Sequence, residues 1–434
     1  MTHARQIKAT SERVLSMKFT IIGAGSSYTP EILERLNEMR EELPVTEIAL
    51  MDINEERLNT VSGFCERYAQ HLGLDIRFER ATNLADALPG SDFIIVQIRV
   101  GGNAARINDE KIPLSFGLVG QETTGAGGFM KALRTIPAML EIAHAVETYC
   151  PDAWIINYTN PTGIVAEAVN KYSKAKIAGL CAGGFNGRNW TAMGLDVDPA
   201  HVRYDLAGLN HLNFAYNITV QGKPLTEEQF RQVATYRGEQ DAEMCIKLGA
   251  LPSPYLQYYY HRSKRVKELG EKELCRAEEV LRVEEEVYRD YADPNCNTKP
   301  ASILKRGGGG YSEIALGVIS AIYNDKDTWI TVNVPNRGTF NWLPDDAVIE
   351  TACMVNAAGI RPVNAGPVPK AVRGLISAVK NYEQLAVEAA VTGSIETAEL
   401  ALLAHPLVGE WELVKAMLPK LLEANRQWLK NFDL

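Results

Sequence analysis

The chain contains no Cys-x-x-Cys pair, and its seven cysteines (Cys65, Cys150, Cys181, Cys245, Cys275, Cys296 and Cys353) are scattered and odd in number. That excludes a disulfide framework and points to free thiols in a reducing compartment. No run of about 18 apolar residues exists, which excludes a membrane-spanning helix. Met1 to Ser16 is polar and basic with no apolar stretch, so it does not read as a secretory signal. Positive charge is not in excess either. The formal net charge of −9 argues against a nucleic-acid surface and against a polybasic membrane contact. An anionic substrate must then be held by a local cluster of Arg, Lys or amide donors. Internal repeats and low-complexity segments are also missing, and the compartment expected is the cytoplasm.

What is there fits a soluble globular protein, with 46% hydrophobic and 23% charged residues. A length of 434 residues exceeds one ordinary core, so two packed domains are expected, 17–195 and 196–434. Lys18 to Ile22 reads as a strand ending in the turn Gly23-Ala-Gly25-Ser26-Ser27-Tyr28-Thr29-Pro30. A helix over Glu31 to Glu41 should follow, with Thr29 as N-cap and Pro30 at its first position. Strands are expected at Glu47–Met51, Ile76–Arg80, Phe93–Ile98, Trp154–Tyr158 and Ile177–Leu180, and helices at Asn54–Leu72 and Lys131–Cys150. This alternation implies a doubly wound parallel sheet of Rossmann type. Beyond residue 200, strands at Tyr204–Leu206, Phe214–Val220 and Ile330–Val334 sit among amphipathic helices such as Lys272–Tyr291. After Pro369 the chain is almost wholly helical, which describes an α+β second domain. The Gly307 to Gly310 run reads as a hinge or a close backbone approach.

A strand, Gly23-x-Gly25 and a helix start offer backbone N–H groups and a positive dipole end to a pyrophosphate. Tyr28 stands where the third glycine of the usual fingerprint would be, and Ser26 and Ser27 are placed to supplement the phosphate contacts. Asp52, closing the second strand, is placed to accept the ribose hydroxyls, which favours NAD. Val119 to Gly128 is glycine-rich and polar, suited to a small polar ligand. Asn157-Tyr-Thr-Asn160-Pro161 ends a strand in donors and acceptors, where ligands of open α/β sheets bind. Cys181 ends the next strand, and His211 lies in Gly208-Leu-Asn-His211. A buried Cys or His is more often packing than ligand, and their spacing has no local signature.

Together these residues resemble glycoside hydrolase family 4, the NAD- and divalent-metal-dependent glycosidases. The motifs that carry the resemblance are Ile21-Ile-Gly-Ala-Gly-Ser-Ser27, Ile98-Arg-Val-Gly101, Gly120-Gln-Glu-Thr-Thr-Gly125, Thr159-Asn-Pro161, Gly179-Leu-Cys181, Gly208-Leu-Asn-His211, Pro254-Tyr-Leu-Gln-Tyr-Tyr259, Arg276-Ala-Glu-Glu-Val280 and His405-Pro-Leu-Val408. They span nearly the whole chain from Met17, and within the family the similarity is greatest to the 6-phospho-β-glucosidases. The resemblance implies a fold like that of lactate and malate dehydrogenases. It also implies a redox-assisted elimination in place of the usual two-carboxylate scheme. NAD takes hydride from sugar carbon 3, a base removes the proton at carbon 2, the aglycone leaves carbon 1, water adds, and the hydride returns. By the same resemblance Cys181 and His211 hold Mn2+ or another divalent ion, with modest affinity because thiolate is a soft ligand for manganese. Tyr255 is the implied base, and Arg99, Asn160 and Arg276 contact a phosphorylated sugar, which suits a guanidinium fork. Relatives imply a homodimer or homotetramer.

Two departures stand out. Ala182 follows Cys181 where relatives carry Asp or Asn, and Ser115 stands where a Lys often raises the basicity of the tyrosine. Gly183-Gly184 also replaces a bulkier pair. Three readings therefore stay open: a 6-phospho-β-glucosidase or a family member of other specificity; an NAD-dependent hydroxy-acid or sugar-acid dehydrogenase; and a non-catalytic NAD-binding sensor.

Overall fold

The computed structural model describes residues 16–236, 239–306, 310–363 and 366–434. Of the glycine run expected as a hinge, 307–309 lie outside the described residues. Six strands, β1 (Met17–Ile22), β2 (Val45–Met51), β3 (Arg77–Ala81), β4 (Phe93–Val96), β5 (Trp154–Asn157) and β6 (Lys176–Gly179), pair in parallel in the order β3-β2-β1-β4-β5-β6. β1 and β4 are buried almost throughout, as strands covered on both faces must be. The order reverses direction between β1 and β4, and the carboxyl ends around that switch carry Gly23, Asp52, Arg99, Asn160 and Cys181.

Beyond β6 the same sheet continues. Four strands intervene in the chain, β7 (Val202–Leu209), β8 (Leu212–Val220), β9 (Lys223–Pro224) and β10 (Leu251–Pro252), and form a separate antiparallel sheet. Then β11 (Thr328–Pro335) returns antiparallel to β6, followed by β12 (Val348–Asn356) and β13 (Gly359–Pro362). The two halves expected from the sequence thus share one nine-stranded sheet. Buried ion pairs join them further. Lys380 Nζ lies 2.5 Å from both Glu167 and Glu383, and Glu167 also accepts the N–H of Val348. No helix among the described residues is long and apolar enough to cross a membrane.

Three local expectations are corrected. Thr29 does not cap the following helix. Its hydroxyl turns inward, donating to the Ala24 carbonyl (2.8 Å) and accepting from Gln97 Nε2 (2.6 Å). Pro30 takes the cap position and the helix runs only Glu31–Glu38. The long helix expected from Lys131 begins at Gly125 and runs to Tyr149. A Cβ on Gly127 would lie 2.4 Å from the carbonyls of Asp109 and Gln121, and one on Gly128 would lie 2.5 Å from the Thr123 backbone. Close packing therefore requires glycines whose low helix propensity conceals the helix in the sequence. The helix expected at Lys272–Tyr291 starts later, at Arg276, and ends at Ala292, capped by the Cys275 thiol and Glu278. A helix over Gly102–Ser115 and the strands β12 and β13 were not anticipated.

Candidate active site

The nucleotide-type turn is held from both sides. The N–H groups of Gly23 and Ala24 both donate to the Met51 carbonyl (2.9 Å), and Ser26 N–H donates to Gly23 O. The expected set of unpaired turn amides is therefore partly spent on the fold. Asp52 accepts Gly25 N–H (2.8 Å) on Oδ2 and Asn54 N–H (2.9 Å) on Oδ1. Since a carboxylate has about four lone-pair sites, Asp52 is oriented with acceptors to spare. Gly25 must lack a side chain, because a Cβ would sit 2.9 Å from Asp52 Oδ2. Ser26 Oγ accepts Tyr28 N–H, while Ser27 Oγ is buried with no partner among the described residues. From the second half, Tyr288 and Tyr291 donate to Gly25 O and Ser27 O, both at 2.8 Å, and the Arg306 guanidinium lies 4.1 Å from the Tyr28 ring centroid.

His211 is placed by the hairpin β7–β8, where Leu209 pairs with Leu212 and Asn210-His211 form the tip. His211 has φ +63°, a left-handed conformation that costs a non-glycine residue about 1–2 kcal/mol. Ser253 N–H donates to Asn213 O (2.9 Å), and a short 3-10 turn over Pro254–Leu256 then lays the Tyr255 ring flat on His211, with centroids 3.7 Å apart and planes 5° from parallel. Cys181 joins them through Asn210. The Asn210 amide bonds the thiol and also reaches Glu350 Oε1 at 3.5 Å. Glu350 is fully buried and also accepts the amides of Asn213 and Asn333.

The tautomer of His211 follows from its neighbours. Gln121 Oε1 accepts both Thr123 N–H (2.6 Å) and the Thr123 hydroxyl (2.9 Å). Having spent its single proton, the hydroxyl oxygen must accept from His211 Nδ1, 2.9 Å away. His211 Nε2 is left with a bare lone pair. Burial, joined by Lys131, pushes the His211 pKa down to about 3, so the ring is neutral. Burial and Glu350 push the Cys181 thiol up to about 12, against the Gly183 N–H and Asn210. Burial likewise raises the Tyr255 phenol well above its ordinary value, with Cys181, Tyr311 and Glu122 adding to the effect.

A neutral imidazole with a free nitrogen, linked to a thiol through the neighbouring Asn210, suits a transition-metal ion. Among the described residues, no group of three or more His, Cys, Asp and Glu side chains is arranged for a metal, so Cys181 and His211 supply two donors at most. An ion there would complete its shell from water or ligand. Its charge would reverse the direction in which Cys181 and Tyr255 are now shifted.

Charge beside this group is concentrated on Glu122. Arg99 pairs with it, Lys131 Nζ lies 2.5 Å away and Arg106 Nη1 3.1 Å away. Burial would raise the Glu122 carboxyl, yet Arg99, Lys131 and Arg106 hold it well below its ordinary range. Burial, aided by Arg99, brings the Lys131 amine down to about 7 despite Glu122. Asn160 donates to Tyr158 O (3.4 Å), its Oδ1 is buried without a partner among the described residues, and its bond to Pro161 is cis. Arg276 stands apart at the exposed start of its helix, bonded to Glu279 (3.0 Å) and to the Arg306 carbonyl (2.8 Å). Ser115 is exposed and donates to Ile112 O within its own helix. Gly184 is a glycine for a steric reason, since a Cβ would lie 2.4 Å from Thr331 Cγ2.

Thr123, Glu122, Lys131, Asn210 and Glu350 are not marked by the sequence as individual site residues. Glu122, Thr123 and Asn210 lie inside segments that the sequence does single out. Lys131 looks like an ordinary helix residue, and Glu350 belongs to a strand that was not anticipated.

The sequence families described as family 4 glycosyl hydrolase and family 4 glycosyl hydrolase C-terminal domain match residues 18–190 and 206–408. The chain belongs to glycosyl hydrolase family 4. It is 39% identical over 432 residues to the probable 6-phospho-beta-glucosidase of Bacillus subtilis (strain 168), covering 96% of this chain and 98% of that protein. The 6-phospho-beta glucosidase of Thermotoga maritima, solved with NAD and glucose-6-phosphate, has 34% identity and a TM-score of 0.88, covering 95% of this chain and 99% of its own. Solved with manganese, NAD+ and glucose-6-phosphate, the same enzyme gives a TM-score of 0.87 at 33% identity, with the same coverage of 95% and 99%. Malate dehydrogenase from Plasmodium falciparum, at 15% identity and a TM-score of 0.54 over 88% of this chain and 99% of its own, shares the fold. The family 4 chain thus has the Rossmann-type architecture, extended by an α+β half, that its sequence implied.

Proposed function

We propose that this family 4 chain hydrolyses 6-phospho-β-glucosides through oxidation at carbon 3, proton abstraction at carbon 2 and elimination of the aglycone. The observation that carries this reading is the convergence of three side chains at the carboxyl rim of the sheet. The Tyr255 ring lies 3.7 Å from His211, and Asn210 ties the Cys181 thiol to the same hairpin tip. Similarity over 96% of the chain to a probable 6-phospho-beta-glucosidase supports the substrate class.

NAD, when bound, takes hydride from carbon 3 and later returns it. A divalent ion such as Mn2+ on Cys181 and His211 would polarise the sugar oxygens and lower the pKa of both the carbon 2 proton and Tyr255. The chain's own groups do the rest. Gly23, Gly25, Ser26 and Ser27 line the pyrophosphate turn, with the unpartnered Ser27 hydroxyl as the donor still to be used. Asp52, already oriented by two backbone amides, accepts the ribose hydroxyls. Tyr255 is the base at carbon 2, its ring fixed by the imidazole it lies on. Arg99 and Asn160 hold the phosphorylated sugar, and Arg276, which stands apart from them, would reach it only by leaving Glu279 and the Arg306 carbonyl. Glu122 keeps Arg99 aligned rather than free to fold away. We place the enzyme in the cytoplasm, where free thiols persist, as a homodimer or homotetramer. In our reading 17–195 holds the dinucleotide, while 196–434 contributes His211 and the base.

Turnover of 4-nitrophenyl 6-phospho-β-glucoside should require both NAD and Mn2+, with no NADH accumulating. In D2O, deuterium should enter carbon 2 of the released glucose 6-phosphate, and Tyr255→Phe should abolish that exchange. Stoichiometric NADH from a hydroxy acid or sugar acid, with no glycoside cleaved, would overturn the proposal in favour of a dehydrogenase.

A further inference from the structure

The tip of Arg99 is fixed and its stem is not. Among the described residues only Nη1 makes a hydrogen bond, to Glu122, so the rest of the guanidinium fork is free for an anion. The turn 99–102 beneath it leads from β4 into the helix Gly102–Ser115, and both Gly101 (φ +79°) and Gly102 (φ +59°) are left-handed. Adjacent glycines give the backbone its greatest freedom. Within the turn, Gly102 N–H donates to Arg99 O (3.0 Å) and Ala105 N–H to Gly101 O (3.1 Å). A fork on so pliant a base would lose the aim that paired donation to one anion requires.

The missing rigidity comes from far along the chain. A helix over Trp411–Asn425 ends in a 3-10 turn, Arg426–Trp428. The half-buried Trp428 indole presses on Gly101, where a Cβ would lie 3.1 Å from both Cδ2 and Cε2 and 2.5 Å from Ala105 Cβ. Only glycine lets the indole come so near. Asn425 is fully buried, and its amide is set by donating to Leu421 O (2.9 Å) while its Oδ1 accepts from Arg134 Nη1 (3.2 Å). Arg134 in turn donates from Nε to Val100 O (3.0 Å), with Asp109 holding the rest of its guanidinium. Val100 and Gly101 are thus clamped in succession, one through Asn425 and Arg134, the other by Trp428. The helix that carries Arg134 also supplies Lys131 to Glu122, so stem and tip of Arg99 are referred to one element.

We propose that Trp428 and Asn425 are positioning residues that aim the Arg99 guanidinium at the substrate phosphate, an inference that rests on the phosphoglycosidase reading above. Neither touches the sugar. Both act on the turn under Arg99, and what they confer is recognition of a phosphate monoester, not chemistry at carbons 1 to 3.

The test uses full-length enzyme with NAD and Mn2+, glucose 6-phosphate as binding probe and 4-nitrophenyl 6-phospho-β-glucoside as substrate. Trp428→Ala should raise both the glucose 6-phosphate Kd and the KM by about tenfold to a hundredfold, the worth of one charge-assisted hydrogen bond. The kcat should stay within about threefold, because ground state and transition state lose that contact alike. NAD affinity should not change. Trp428→Phe keeps a ring over Gly101 and should recover most of the loss. Leu418→Ala, at a buried position of the same helix, controls for general loosening: its melting temperature should fall while its KM stays parental. Should Trp428→Ala fail to fold, Gly101→Ala presses on the same contact from the other side and is judged by the same Kd and KM. An unchanged Kd and KM, a kcat that falls as far as kcat/KM, or an equal KM rise in Leu418→Ala would overturn the assignment. Parent enzyme that binds no glucose 6-phosphate, or whose affinity for it survives Arg99→Ala, would instead sink the reading beneath it.

Discussion

At the residue scale, the chemistry of His211 is decided two bonds away. Because the Gln121 carbonyl oxygen takes the proton of Thr123, the hydroxyl can only accept from Nδ1, and Nε2 keeps a free lone pair, the one we propose for the ion. Thr123→Val should weaken Mn2+ binding about tenfold or more, read by calorimetry or by the EPR signal of free Mn2+, and Thr123→Ser should restore it. An unchanged affinity in the valine variant would mean that the ring chooses its tautomer unaided. His211→Asn tests the same position from the backbone side. Asn tolerates the left-handed conformation better than His, so thermal stability should hold within about 1 kcal/mol while ion affinity is lost. These residues also show how far a sequence can be read. Cys181, His211 and Tyr255 are recognisable by motif, and the structure brings them together. Thr123 and Glu350 matter only through bonds made across the fold, Thr123 to His211 and Glu350 to Asn210, and no local pattern announces such bonds.

Elements with ordinary chemistry were legible, and those with constrained packing were not. β1, β2, β4, β5 and β6 declare themselves through apolar stretches punctuated by turns, and the structure shifts the ends of all six parallel strands by only a few residues. The start of the Gly125–Tyr149 helix is hidden in the sequence, since Gly125, Gly127 and Gly128 in its first turn disfavour a helix in isolation. Gly127 is where this is most severe. Gly127→Ala would drive a methyl into the Asp109 and Gln121 carbonyls, at 2.4 Å, and should cost about 1–3 kcal/mol. It should also displace Gln121, so a urea titration would show a lower midpoint alongside weakened Mn2+ binding. Seven residues along, the same helix carries Arg134, fully buried and paired with Asp109. Asp109→Ala strands that guanidinium, and a loss of about 3–5 kcal/mol is expected in the same titration. Wild-type stability in either variant would show that these helices have room to shift.

For the molecule as a whole, the second half does more than abut the first. Tyr288 and Tyr291 hold the carbonyls of the glycine turn, so the shape of the turn we propose for the dinucleotide depends on a helix more than two hundred residues downstream. Replacing both with Phe removes two bonds worth about 1 kcal/mol each. NAD affinity should drop several-fold in a fluorescence titration, while Mn2+ affinity is unchanged. Equal NAD affinity would show that the turn is rigid on its own.

The shared sheet also sets a schedule for the ribosome. β6 presents an unpaired edge until β11 arrives to cover it, and only Asn333 against Gly179 completes that seam. At translation speeds of about 5–20 residues per second, the nascent chain carries this open border for on the order of ten seconds. A gene truncated near codon 200 would encode a fragment whose sheet ends in that border permanently. Such a fragment should collect in inclusion bodies, unlike the full-length product, because an uncovered apolar strand recruits its own copies.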